Sequence, residues 1–361
     1  MKYLDLKAVN APYVHAADAV LQSGRYLRGE ATRSFEQHYA EYIGTRHCVG
    51  CGNGLDALTL ILRAYKDMGV MTDGDEVVVP ANTYIASILS VTENRLKPVL
   101  VEPDINTLQI DDTLIEQAIT GRTKAVMIVH LYGRCAYTRR IGDLCCRHGL
   151  RLIEDNAQAQ GCLFGEESPR RTGSLGHAAA HSFYPTKNLG AFGDAGAVTT
   201  DDEVLAAWVR TLGNYGSARH YVFDHRGRNS RIDELQAAIL DAKLPCLDAA
   251  NGRRKDIAAY YINNVKHPDV FIPRCDRDSV YHIFPILSPR RDELRAYLLE
   301  HGVETEIHYP IPPHRQQCYA EWSSMSLPIT ERIHHEELSL PCNPAMTMAD
   351  AELVTNLINR F

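Results

Sequence analysis

The chain has 361 residues, 45% hydrophobic and 23% charged, with a formal net charge of −7. That length buries a core large enough for two or three structural units. The acidic balance argues against nucleic acid as the main partner but leaves small anionic substrates open through a local basic patch. The opening MKYLDLKAVNAPYVHAADAV lacks the long apolar core of a signal peptide. No stretch reaches the ~20 consecutive apolar residues of a membrane helix. The expected location is the cytoplasm, with the ten cysteines reduced.

Taken in chain order, Cys48 and Cys51 come first, a lone CxxC with no second pair or histidines at zinc-finger spacing. They read as buried, inert thiols rather than a metal or redox site. Next comes GCGNGLDALTLILRAY, where Gly50, Gly52 and Gly54 precede a helix with Leu55, Leu58, Leu62 and Tyr65 on its core face. Glycines let backbone approach an anion, and a helix start offers unpaired amides and a positive dipole end. On its own the segment also fits a plain strand-to-helix turn. Its GxGxG spacing is not the GxGxxG dinucleotide fingerprint, and Gly190, Gly193 and Gly196 also fail it.

Short β-type runs then alternate with helical patterns, which predicts an α/β fold with a mostly parallel sheet. The runs are Glu76–Pro80, Pro98–Val101, Ala125–Leu131, Leu150–Ile153, Ala178–Phe183 and Ala195–Thr199. Several are almost continuously apolar, as strands covered on both faces require. Tyr84, in PANTYIASILS, follows the first of them and is placed to stack on a flat ring or to fill core. Asp155, in RLIEDNAQAQG, ends an apolar strand at the carboxyl edge of the sheet, with Gln158 three residues on. Such an aspartate either holds a proton on a cationic ring nitrogen or caps the next helix.

Lys187, in HSFYPTKNLGAFGDAG, lies in a turn-rich stretch just past a predicted strand, at the edge where open α/β folds bind ligands. Partial desolvation there frees an amine for Schiff-base chemistry, whereas an isolated lysine reads as surface. A lysine, an acid for the ring nitrogen, a phosphate cradle and an aromatic wall are what pyridoxal 5′-phosphate (PLP) asks of a protein.

Beyond Asn229, apolar residues Ile232, Leu235, Ile239 and Ala242 predict a long helix from near Arg231, kinked or ended by Pro245. A smaller α+β unit follows, with a strand near Tyr281–Leu287, a helix near Asp292–His301 and HYPIPPH as extended chain. The boundary is placed at 240, giving a large domain over 1–240 and a small one over 241–361. His308 and His314 are separated by three prolines and cannot share a helix face as a zinc-protease pair does. His334, His335, Glu336 and Glu337 read as a solvated helix face, and Arg170 and Arg171 as loop.

In order and spacing, NGLDAL, GDEVVVPANTYIAS, VHLYGR, EDNAQAQG, SFYPTKNLGAFGDAG, GRNSRIDELQAAIL and IHYPIPPH resemble the DegT/StrS group. These are fold-type I, PLP-dependent nucleotide-sugar aminotransferases. The resemblance runs essentially end to end. It implies a large domain built on a mostly parallel seven-stranded sheet between helices, and a smaller C-terminal α+β domain. It also implies that Lys187 is the Schiff-base lysine and proton carrier, Asp155 the ring-nitrogen partner, Gln158 the contact to the ring hydroxyl and Tyr84 the stacking aromatic. Phosphate contacts fall on the backbone at Gly54 and Leu55, the Ser182 hydroxyl and Asn229. The residue matching Asn229 comes from a neighbouring subunit, which implies a homodimer with shared active sites.

Tyr184, His308 and Tyr309 fall where relatives meet the sugar nucleotide. NGLDAL followed by PANTYIASI resembles the subgroup that aminates the 3-keto position of dTDP-6-deoxyhexoses, with L-glutamate the usual donor. Leu55 replaces a Thr or Ser of many relatives, leaving the backbone to serve there, and Asn156 and Ala195 replace commoner small residues. Family dehydratases carry histidine in place of the lysine, and this chain has Lys187. The same fold also serves non-catalytic regulators, but every cofactor position here is filled.

Overall fold

The computed structural model describes residues 1–165, 169–275 and 278–361. Strands are β1 (His47–Cys51), β2 (Glu76–Pro80), β3 (Lys97–Val101), β4 (Thr123–Val129), β5 (Arg151–Asp155), β6 (Leu163–Phe164) and β7 (Arg170–Arg171). They continue as β8 (Ala178–Ser182), β9 (Gly196–Thr200), β10 (Phe284–Leu287) and β11 (Glu337–Leu340). Helices are α1 (Leu6–Asn10), α2 (Asp18–Ser23), α3 (Glu30–Ile43), α4 (Gly54–Asp67), α5 (Ile85–Glu93) and α6 (Arg139–His148). The rest are α7 (Glu203–Leu212), α8 (Glu234–Lys243), α9 (Leu247–Asn264), α10 (Arg291–Glu300), α11 (Pro328–Glu336) and α12 (Met348–Ile358).

The main sheet has seven strands in the order β1-β9-β8-β5-β4-β2-β3. Only β9 runs against its neighbours β1 and β8; the remaining pairings are parallel. This is the fold class that the strand and helix alternation predicts. Side chains of a strand point alternately to its two faces. Val77, Val79, Ala125 and Met127 therefore join one core with α4 and α7, while Val78, Val126 and Ile128 join another with α6. Leu58, Leu60 and Leu62 of α4 are almost wholly buried in the first, and each contributes about 1.5–3 kcal/mol. A third core packs α3 and α8 around Phe183.

The helix predicted from Arg231 begins at Glu234, and Pro245 ends it in a 3₁₀ turn over Leu244–Cys246 before α9 resumes. The proline ring denies the backbone one amide there. Leu247 of α9 belongs to the core of α3 and α8, whereas Ile257, Ala258 and Tyr261 pack with β10, β11, α10 and α12. Met1 packs on that C-terminal core too, and Asn343 donates to the Tyr3 carbonyl at 2.9 Å, so the chain's start is tied to its end.

Two expectations need correction. Arg170 and Arg171 form β7 of a two-stranded hairpin rather than loop. Of the four residues read as a solvated face, His335 is exposed, but His334 and Glu337 are buried at 3% and 0% exposure. The helix stops at Glu336, and β11 starts with Glu337 paired to Leu287 of β10, which turns the carboxyl group inward. Among the described residues no helix is long and apolar enough to cross a membrane.

Candidate active site

Asp155 and Ser182 end neighbouring parallel strands, with Asp155 in register with Ala180. The chain turns at Phe183 and brings Lys187 back over the same edge, its amide donating to the Tyr184 carbonyl at 2.8 Å. Burial lowers the Lys187 ammonium pKa to about 8, against an opposing pull from Asp155. Desolvation disfavours the charged amine, and the nearby carboxylate limits how far the shift goes. Burial likewise pushes the Asp155 carboxyl upward. Bonds from the Ser87 hydroxyl (2.7 Å) and the Ala157 amide (3.1 Å), and the charge of Lys187, hold that shift back. A cation placed at this carboxylate supplies the counter-charge its buried position lacks.

Gly54 opens α4, with Asn53 capping the helix by accepting from the Asp56 amide. The next amides, of Gly54 and Leu55, lack partners within the helix. A methyl group on Gly54 would meet Ser182 Cβ at 2.7 Å, so the helix start and the Ser182 hydroxyl face one small space. A methyl on Gly196 would meet the Asn53 carbonyl at 2.4 Å, so only glycine lets β9 pass beneath the cap. Tyr84, half exposed, is the N-cap residue of α5, with its ring centroid 5.0 Å from that of Tyr309.

Gln158 ties two regions together. Its oxygen accepts from the Tyr132 amide at 2.6 Å and its nitrogen donates to the Tyr309 hydroxyl at 3.0 Å. Residues 308–309 are held from several sides. Glu337 accepts the His308 amide at 2.6 Å, Tyr132 donates to the His308 carbonyl at 2.7 Å, and His334 Nδ1 donates to the Tyr309 carbonyl at 2.6 Å. Ser339 donates to Glu337 and so accepts from His308 Nδ1 at 2.8 Å. Burial and the charge of Lys187 lower the His308 pKa to about 4, leaving a neutral imidazole.

Lys187, Asp155, Gln158, Tyr84, His308 and Tyr309 are thus brought to one edge, beside the Gly54, Leu55 and Ser182 cradle. Tyr184 is exposed next to it. Asn229 is exposed and paired through its backbone with Asn214. Sequence reasoning missed Ser87, Tyr132, His282, His334 and Glu337. His282 is reached through a relay: Asn251 donates to the Gln160 carbonyl and accepts from Asn188, whose oxygen accepts from His282 Nδ1 at 3.1 Å. Its pKa is driven well down by burial and by the Lys187 and Arg254 charges. No local pattern marks these residues, whose partners lie far away in sequence.

The donor set fits PLP: an amine easily deprotonated, a buried carboxylate beside it, and a cradle that a side chain would fill. A fold and site of this kind define a PLP-dependent aminotransferase. The chain belongs to the DegT/DnrJ/EryC1/StrS aminotransferase family, which it matches over residues 9–359. It is 49% identical over 365 residues to dTDP-3-amino-3,6-dideoxy-alpha-D-galactopyranose transaminase of Aneurinibacillus thermoaerophilus, covering 99% of each chain. It is 43% identical over 368 residues to dTDP-3-amino-3,4,6-trideoxy-alpha-D-glucose transaminase of Streptomyces venezuelae, covering 99% of this chain and 95% of that one. The crystal structure of S. venezuelae DesV in complex with a ketimine intermediate superposes with a TM-score of 0.94 at 44% identity. That match covers 99% of this chain and 97% of DesV. The protein is therefore an enzyme, a sugar aminotransferase that works with PLP.

Proposed function

We propose that this enzyme moves the amino group of L-glutamate onto the keto carbon of a nucleotide-linked sugar, a dTDP-3-keto-6-deoxyhexose, in deoxyamino-sugar biosynthesis. The observation that carries the reading is the Lys187 amine, lowered to about 8, facing Asp155 beside the Gly54 and Ser182 cradle. The two transaminases named above act on dTDP-3-amino sugars, which supports the nucleotide and the position. PLP bound there supplies the electron sink for amino transfer.

In this reading Lys187 Nζ holds the cofactor and carries the proton at the reacting carbon, and Asp155 keeps the ring nitrogen protonated. Gln158 meets the ring hydroxyl and Tyr84 covers the ring face. The amides of Gly54 and Leu55 and the Ser182 hydroxyl take the phosphate, with Asn229 donated by a second subunit. Tyr184, His308 and Tyr309 line the sugar side.

The same proposal includes a cytoplasmic homodimer, each subunit divided at about residue 240. The segment preceding Asn229 supports the dimer: Tyr215, Tyr221, Val222 and Phe223 are exposed, Tyr221 by 80%. A patch of that kind marks an interface. The first test is the visible absorption of the purified enzyme before and after L-glutamate. A yellow band that fades with glutamate supports the reading, and a band indifferent to glutamate rejects the donor. No band after reconstitution with PLP rejects the site.

A further inference from the structure

Arg254, on α9, is 5% exposed. Its Nη1 donates to the backbone carbonyls of Cys342 and of Tyr281, and among the described residues no carboxylate pairs with it. Lys243 is also buried without a carboxylate, but its pKa falls to about 8, so a lysine there has a neutral state available. A guanidinium has none, and a buried charge that cannot be discharged calls for an anion.

Arg254 also faces open space. It lines a cavity of about 250 Å³ together with Thr186, Lys187, Asn188 and Lys243, a lining with no acidic residue in which Arg254 is the cation that cannot be discharged. It lines a second of about 250 Å³ with Thr186, His282, His308 and Asn343, where the half-buried Tyr3 and the exposed Glu306 complete the polar wall. In a chain of net charge −7, Arg254 and Lys243 beside Lys187, with no acid around the cavity, select a small anion. The volume falls below the ~300–1,000 Å³ typical of drug-sized ligands. It suits a five-carbon dicarboxylate better than a sugar nucleotide.

We propose that Arg254 receives a carboxylate of the amino donor, in the space it shares with Lys187. The proposal rests on the aminotransferase reading given above. The guanidinium fork offers two parallel N–H donors to the carboxylate, which would hold the donor's amine near Lys187 Nζ. The sugar substrate, whose charge lies on its diphosphate, has no such group to place there.

The test titrates the PLP-loaded enzyme calorimetrically with glutarate, a dicarboxylate that has no amine to react. Wild type should bind it, and Arg254→Gln should weaken that binding at least about thirtyfold, the scale of breaking a buried charge pair. Arg254→Lys should recover part, since it keeps the charge but loses the fork. KM for L-glutamate should rise in parallel while KM for the keto-sugar stays put; a purely structural role would move both. Equal glutarate affinity in wild type and in either folded variant, or loss of dTDP binding in place of glutarate binding, overturns the proposal. A wild-type enzyme that ignores L-glutamate instead rejects the donor assignment on which the proposal rests.

Discussion

The site has two sides built in different ways. On the sheet side, Asp155 and Ser182 end adjacent strands and Lys187 follows five residues after Ser182, so the chemistry proposed for them rests on short stretches of chain. On the opposite side, His308 and Tyr309 sit on a proline-rich segment with little regular structure. Their positions depend on Tyr132, Gln158, His334, Glu337 and Ser339, from three separate stretches of chain. The groups proposed to react are placed by strands whose hydrogen bonds fix them locally. The groups proposed to meet the sugar are placed by buried side chains that arrive from elsewhere. Such a division predicts that mutations on the sheet side remove chemistry, while those on the far side misalign substrate and leave the cofactor in place.

The largest effect should come from Lys187→Ala, with turnover abolished and the yellow band of the lysine-bound cofactor absent from the spectrum. Retained turnover would sink the assignment. Asp155→Asn, nearly isosteric, should cost about 10²–10³-fold in kcat, the scale of losing one preorganised electrostatic group. Stopped-flow absorbance of the glutamate half-reaction would show it.

On the far side, Glu337→Ala should lower kcat/KM for the keto-sugar by up to about 10²-fold through misplacement of residues 308–309. The cofactor band should be unchanged; a lost band would erase the contrast between the two sides. Gly54→Ala returns to the sheet side as a milder change. Its methyl meets Ser182 Cβ at 2.7 Å, and about 1–3 kcal/mol of overpacking should weaken PLP binding by roughly ten- to a hundredfold in a fluorescence titration.

The smallest effect is a dependence of stability on pH. Burial raises the Glu337 carboxyl from 4.5 to about 8, so the folded protein keeps a proton that the unfolded chain has released. The associated stability is complete below pH 4.5, declines as pH rises, and is gone above about 8. Glu337→Gln carries no titrating proton, so its thermal midpoint should lack that decline relative to wild type.

Much of this was legible in the sequence. The apolar runs at Glu76–Pro80 and Ala178–Phe183 lie within a residue of β2 and β8, because a strand buried on both faces must be apolar throughout. The placement of Lys187, Asp155 and Gly54, each where a strand gives way to a turn or helix, was legible too. Pro245 marked its own break, since a missing amide is a local fact.

Other features were decided only in three dimensions. His334 and Glu337 looked like a charged helix face, and their burial follows from pairing β11 with β10, which local composition does not encode. Arg254 looks like any helical cation until α9, the chain's first residues and the 342–343 segment close around it. Covalent geometry and hydrophobic periodicity act over a few residues, so the sequence alone determined the elements and which residues stand at their ends. Burial, hydrogen-bond partners and local charge arise between segments up to hundreds of residues apart, and only tertiary packing decided which side chains those elements would enclose.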